Sequence, residues 1–476
     1  MRARAGAGVV ALLCAAALWP QSALAHGLAV RQDVPIPTWL FAWGATIVLV
    51  ASFVALATLW PRPRLQEDSW RPLPAGLSRI LLSRPVEIAC GAIGVFLLGL
   101  VVWSGLKGTQ NSNTNFAPSF VYIIFWLGFV PLSLLFGDVF RAFNPWRAAA
   151  RAVGWVAKTA ARQPLPAPLQ YPQRLGYWPA VAGVVAFGWL EIAAPGGDEP
   201  DQLAIATLIY SVLTWVAMTL YGVDGWTNRG EAFSVYFNLI SRLSVVERRE
   251  GRLGRRRALS GLAHWEPAPG AVLFVVALIG TVSFDGFSAG PIWTGWASDI
   301  AGAFESVGLS PARSLEATFG SGLIAAILLT FGLYYLAAWG AHSAGGGFST
   351  RELAATFAHS LAPIALVYAA AHYVSFLLLQ GQAIIPLASD PLGRGSDLFG
   401  TAAVSVDYGL IGSSTFWYLQ VGFVVAGHVA GLVLAHDRAI AIYDRPRIAT
   451  QSQYWMLAVM VAFTSLALWL LSEASG

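Results

Sequence analysis

A chain of 476 residues with 56% hydrophobic and only 11% charged side chains falls outside the range of soluble globular domains, in which about a quarter of residues are charged. Twenty Trp and fourteen Tyr suit the aromatic belts that flank a lipid bilayer. The formal charge of +4 is small, and its basic residues sit in loops between apolar stretches, so nothing here argues for a nucleic-acid partner.

The first 25 residues read as a signal peptide. Arg2 and Arg4 form a charged start, Val9 to Leu18 an apolar core, and Ala23-Leu24-Ala25 a small-residue cleavage site. Cleavage there makes His26 the mature N-terminus. Cys14 would leave with the signal, so Cys90 stands alone and no intrachain disulfide is expected.

The mature chain, 26–476, reads as a single all-α membrane domain, a polytopic transmembrane helical bundle of about ten spans. Apolar stretches of bilayer length fall near 38–60, 86–106, 118–140, 177–193, 202–222, 268–283, 317–341, 353–379, 415–436 and 453–472. Nearly all Lys and Arg lie in the gaps 61–85, 141–176, 223–267, 342–352 and 437–452. Only Arg31, Lys107, Arg313 and Arg394 fall in the opposite set after the signal. By the positive-inside rule the first set is cytoplasmic. The expected location is a bacterial inner (cytoplasmic) membrane, with both mature termini on the exterior side.

Two long gaps have character of their own. In 223–267, Phe233, Tyr236, Phe237, Leu239, Ile240, Leu243 and Val246 recur at helical spacing, which predicts an amphipathic helix lying on the membrane surface. The basic run 248–257 behind it is expected to meet anionic lipid headgroups. On the exterior, segments 284–316 and 380–414 are rich in Gly, Ser, Pro and Asp and are predicted to be loops that roof the bundle.

Histidine and acid positions carry what chemistry the sequence offers. His26 could chelate a metal through its ring and its terminal amine. His359 and His372 lie on the eighth span and His428 on the ninth. Intramembrane histidines are costly and face the bundle interior, most often in interhelical hydrogen bonds and less often as ligands. Asp285, in Ser283-Phe284-Asp285-Gly286-Phe287, is read as lying just past the sixth span. Paired with His372 it is the expected catalytic centre, and His26, His372 and His428 are the expected metal ligands. A divalent transition metal would lower the pKa of a bound water and supply hydroxide.

On the cytoplasmic side, Asp138, Arg141, Asn144 and Arg147 follow the third span and Asp224, Trp226, Arg229 and Glu231 the fifth; ion pairs locking helix ends are the expected arrangement. One G-x-S-x-G match, Gly286 to Gly290, follows a membrane span rather than a strand and is read as chance.

Several stretches together carry a resemblance: Phe136 to Arg147 (FGDVFRAFNPWR), Gly230 to Leu243 (GEAFSVYFNLISRL), Thr281 to Ser288 (TVSFDGFS), Ala370 to Gln382 (AAHYVSFLLLQGQ) and Gly427 to Arg438 (GHVAGLVLAHDR). With His26-Gly27 and Pro35 to Trp39, the mature chain resembles a family of bacterial polytopic membrane proteins labelled fenitrothion hydrolase. That resemblance implies hydrolysis of an organophosphorus triester, a small apolar substrate able to enter from the lipid. It carries no catalytic residues. The competing expectation is a transporter, or a copper- or haem-handling membrane protein, without hydrolase activity.

Overall fold

The computed structural model describes residues 38–161 and 167–473. The expected signal peptide and His26 lie outside the described residues. Within them the chain is an all-α bundle, and eight helices are long and apolar enough to cross a bilayer. We number the principal helices α1 (Thr38–Leu59), α2 (Arg84–Lys107), α3 (Phe116–Phe136), α4 (Pro145–Ala161), α5 (Trp178–Ile192), α6 (Pro200–Tyr221), α7 (Ala232–Ser241), α8 (Ala271–Ser288), α9 (Pro291–Ser306), α10 (Pro311–Ser343), α11 (Thr350–Ser389), α12 (Ser413–Ile442) and α13 (Tyr454–Glu473). All ten predicted spans have a helix at their position. α1 and the 15-residue α5 occupy the first and fourth.

Two long helices are interrupted. α3 opens on Pro118 and runs through a π-turn over Ser119–Phe125, where Trp126 N–H reaches Val121 and Gly128 N–H reaches Ile123. Such wide turns are found mostly at functional sites. α11 contains a 3₁₀ turn at Ala358–Ser360 and another at Gln380–Ala383. Around the bundle, α11 packs on α12 and α8. α8 packs on α5 and α10, α10 on α13, and α13 on α1.

α7 is not a surface helix. Residues 232–241 lie inside the bundle against α3 and α5, with Phe237 fully buried and Tyr236 stacked on Trp126 at 4.3 Å. The spacing of large residues pointed to one apolar face. The opposite face carries Ser234, Asn238 and Arg242, which are half-buried and hydrogen-bonded to Glu231, Asp138 and Asn238, so no side of the helix lies open. A helix with an exposed apolar stripe does occur, but it is α4, where Val153, Trp155 and Val156 are exposed beside Arg151 and Lys158.

The segment before α4 is held deep by α2. Gly94 lies so close to Phe143 that an added Cβ would sit 2.0 Å from its carbonyl oxygen. Gly91 meets Ala148 in the same way. Gly94→Val is expected to expel residues 143–145 from this seat. Overpacking of this kind costs about 1–3 kcal/mol or more. A lowered melting temperature of the purified protein checks it, and an unchanged one would mean the helices part freely.

Residues 246–255 fold back as strands β2 (Val246–Arg249) and β3 (Arg252–Arg255). β3 also pairs with β1 (Arg71–Pro72), giving the order β1-β3-β2. Much of the basic run is consumed internally. Arg256 is buried and donates to the carbonyls of Ser241 and Ser244 at 3.0 Å each, with Glu247 at 3.0 Å. Burial lowers its pKa first, and Glu247 resists that shift. Arg249 pairs with Asp68 at 2.9 Å and with Glu247 at 3.0 Å.

Segments 284–316 and 380–414 differ from the predicted loops. α8 continues to Ser288, and Pro291 starts α9 at once, so 284–306 is almost entirely helical. Trp293 is buried, with Phe284 at 4.8 Å and Phe319 at 5.6 Å joining α8, α9 and α10. The second segment is irregular from 390 to 412. It is pinned by the Asp390 carboxylate accepting from Arg394 and Gly395 N–H, by Thr109 N–H donating to Leu392 O, and by Phe116 N–H donating to Pro391 O. The Ser389 hydroxyl and the Ala402 N–H hold the Asp397 carboxyl below its usual range.

Candidate functional site

Asp285 and His372 meet. The aspartate sits one turn before the end of α8, not beyond it as the sequence reading had placed it, because the Asp-Gly step is accommodated as helix. His372 stands on the facing side of α11. Its Nε2 lies 2.8 Å from Asp285 Oδ2, and Tyr373 OH donates to the same oxygen at 2.6 Å. Both groups are withdrawn from the surface, with side-chain exposures of 14% for Asp285 and 5% for His372.

Gly286 shapes the far side of the imidazole. A Cβ built there would lie 3.4 Å from His372 Cε1 and 3.6 Å from Nδ1. The ring is therefore held by a carboxylate through Nε2, while Nδ1 faces a place that only a hydrogen occupies. Nδ1 hydrogen-bonds to no described residue. A carboxylate on one ring nitrogen fixes the tautomer and leaves the other nitrogen as the basic one.

One acid here was not singled out from the sequence. Glu191, next to last in α5, lines a small cavity with Trp126, Tyr236, Thr281 and Tyr373, and lies within electrostatic reach of Asp285. Its carboxylate accepts no hydrogen bond from a described residue. The signal was present, since Glu191 is the lone acid in the apolar run Trp178–Ile192.

The other expected ligands do not join this centre. Gly427 packs on Val367, and Gly431 on Ser360 and Ile364. That register places His428 about 9 Å below His372 along the helix axes, at 1.5 Å per residue. His428 Nδ1 lies 2.7 Å from Val424 O, and Nε2 is buried with no partner. His359 repeats the pattern, with Nδ1 at 3.0 Å from Thr356 O. This is the tautomer a ligating histidine adopts. Yet no group of three or more His, Cys, Asp or Glu able to hold a metal forms among the described residues. The 2.8 Å separation of His372 from Asp285 is that of a direct hydrogen bond. The described donor set thus does not fit the expected metal, and no chemical step is routed through one.

The expected cluster after the third and fifth spans is built, and it is more than ion pairs. Arg141 and Arg151 bind Asp224 at 3.1 and 3.3 Å, and Arg147 and Arg151 bind Glu87 at 2.8 and 2.7 Å. Glu231 is fully buried as the N-cap of α7. It accepts from Phe233 N and Ser234 N at 2.9 Å each, from Asn144 Nδ2 at 3.0 Å, and from the hydroxyls of Ser234 and Tyr210. Asp138 accepts from Asn238 Nδ2 at 3.0 Å. Both oxygens of Glu231, Asp138 and Asp224 are committed, so this cluster reads as a structural lock.

Compared with family models, curated proteins and solved structures, the chain matches none. The fold and the residues described above are what a functional reading has to rest on.

Proposed function

We propose that this membrane protein is a hydrolase that cleaves a small apolar organophosphorus triester, with His372 as general base and Asp285 as its orienting carboxylate. The observation that supports it is the 2.8 Å Nε2–Asp285 contact, with Nδ1 lying beside Gly286 and bonded to no described residue. Nε2–H donates a hydrogen bond to Asp285 and keeps its proton, and Nδ1 takes a proton from water as the water oxygen bonds to phosphorus. The phosphorus–aryloxy bond breaks, and the imidazolium returns the proton to the departing oxygen or to solvent. Base catalysis of this type is worth about 10²–10⁴-fold. The triester class comes from the family resemblance alone.

The same reading puts the protein in a bacterial cytoplasmic membrane, with the arginine-bearing loops inside and the Asp285 end outward. Arg248, Arg252 and Arg255, which lie outside the internal arginine pairs, would face anionic headgroups. Purified protein in detergent, given a nitrophenyl triester, should release nitrophenol, and no release above an Asp285→Asn control would sink the proposal.

A second reading, proton-coupled transport, is favoured by one observation: Glu191 stands unbonded near Asp285 inside the bundle. Glu191→Gln separates the two. Hydrolysis through His372 predicts turnover within a few-fold of wild type, whereas a proton pathway through both acids predicts loss of pH-gradient-driven flux in vesicles.

A further inference from the structure

A chamber of about 350 Å³ lies between α2, α3, α5 and α6, and it is distinct from the small cavity beside Asp285. Phe187 borders both and partitions them, its ring packed on Trp126 at 4.8 Å and on Phe233 at 5.4 Å. Pro145 and Trp146 close the cytoplasmic end.

The chamber offers little to a polar ligand. Three of its four polar side chains are already engaged: Thr207 Oγ1 donates to Leu203 O at 2.8 Å, Trp146 Nε1 to Ser211 Oγ at 2.8 Å, and Tyr210 OH to Glu231, which leaves only the Trp189 indole. Its volume exceeds by more than twice the ~150 Å³ apolar cavity that stays dry and takes up benzene. Packed interiors do not keep voids of that size.

Where it opens decides what fills it. Ile209 and Leu213 line it on α6 and are 57% and 63% exposed, on the face such a helix turns to lipid. The lining runs along α6 from Leu203 to Leu213, about 15 Å at 1.5 Å per residue. That direction is the direction of the surrounding lipid tails. Any other occupant would have to displace a tail from a phase made of tails.

We propose that this chamber is a binding site for one acyl chain of a membrane phospholipid, seated between α2 and α6 with its headgroup left outside. The site stands whether or not His372 hydrolyses anything.

The test is native mass spectrometry of the full chain after delipidation in detergent, with Ala206→Trp and Leu97→Trp filling the chamber from opposite walls. Wild type is expected to retain the mass of one phospholipid, and each variant that elutes as a single species is expected to lose it. Added phospholipid should then raise the melting temperature of wild type but not of the variants. Wild type that keeps no phospholipid overturns the proposal, whatever the variants do. Retention that is undiminished in a folded variant also overturns it, as does displacement of the retained lipid by a non-lipid apolar molecule at trace concentration.

Discussion

Asp285→Asn is expected to cut triester turnover by about 10²–10⁴-fold while leaving the bundle folded. The asparagine amide would present a donor or a weaker acceptor to Nε2, so the imidazole would lose its enforced tautomer and the charge that stabilises its protonated form. Tyr373 would keep an oxygen to bond. His372→Ala should fall to the same floor, and the double variant should be no worse than either single one, because the two act as a unit. Steady-state kinetics of all three in detergent checks this. Additive losses would mean that the two residues act separately, and unchanged rates would remove the dyad from the reaction.

Glu231→Ala is expected to be the most destabilising single change in the cluster that joins Asp138, Asn144 and Asp224. It would strip the acceptor from Asn144, Tyr210, Ser234 and the first N–H groups of α7, all within the protein. Orphaned buried donors cost about 1–3 kcal/mol each, and breaking a buried charged cluster by removing one member costs about 3–5 kcal/mol. Glu231→Gln should recover part of this, since one oxygen remains to cap the helix. Melting curves of wild type and both variants decide it. If alanine melts with wild type, the lock is not a lock. Nitrophenol release by whatever folded Glu231→Ala remains should be near wild type per molecule, which separates this cluster from the dyad.

How far the sequence reached depends on which physics each residue obeys. The spans were legible because burial in lipid imposes length and apolarity, and all ten positions hold a helix. The Asp285–His372 pair was reachable because each is an expensive residue within or at the end of an apolar span. Glu191 is equally expensive, but at the end of a short apolar span a lone acid reads the same whether it meets water or turns inward, and only packing shows that it lines the cavity. α7 departs from the surface-helix expectation because its polar face, Ser234, Asn238 and Arg242, is covered by protein partners instead of water, which spacing alone does not show. Segment 284–306 looked like loop from its Gly, Ser and Pro, yet Pro291 begins a helix and Gly286 continues one. His428 was credited with a partner that register denies it. One-dimensional spacing cannot say how far α12 slides along α11, and the contacts of Gly427 and Gly431 set that distance.

α1 lies against α13, with Phe53 on Tyr454 at 5.9 Å, and α10 touches both its sequence neighbours and α13. A protease nick in the exposed turn at Gly345 and Gly347 would thus leave two fragments sharing seams at α1–α13, α8–α11 and α10–α13. Such halves should travel together through purification and part only when the detergent itself denatures them.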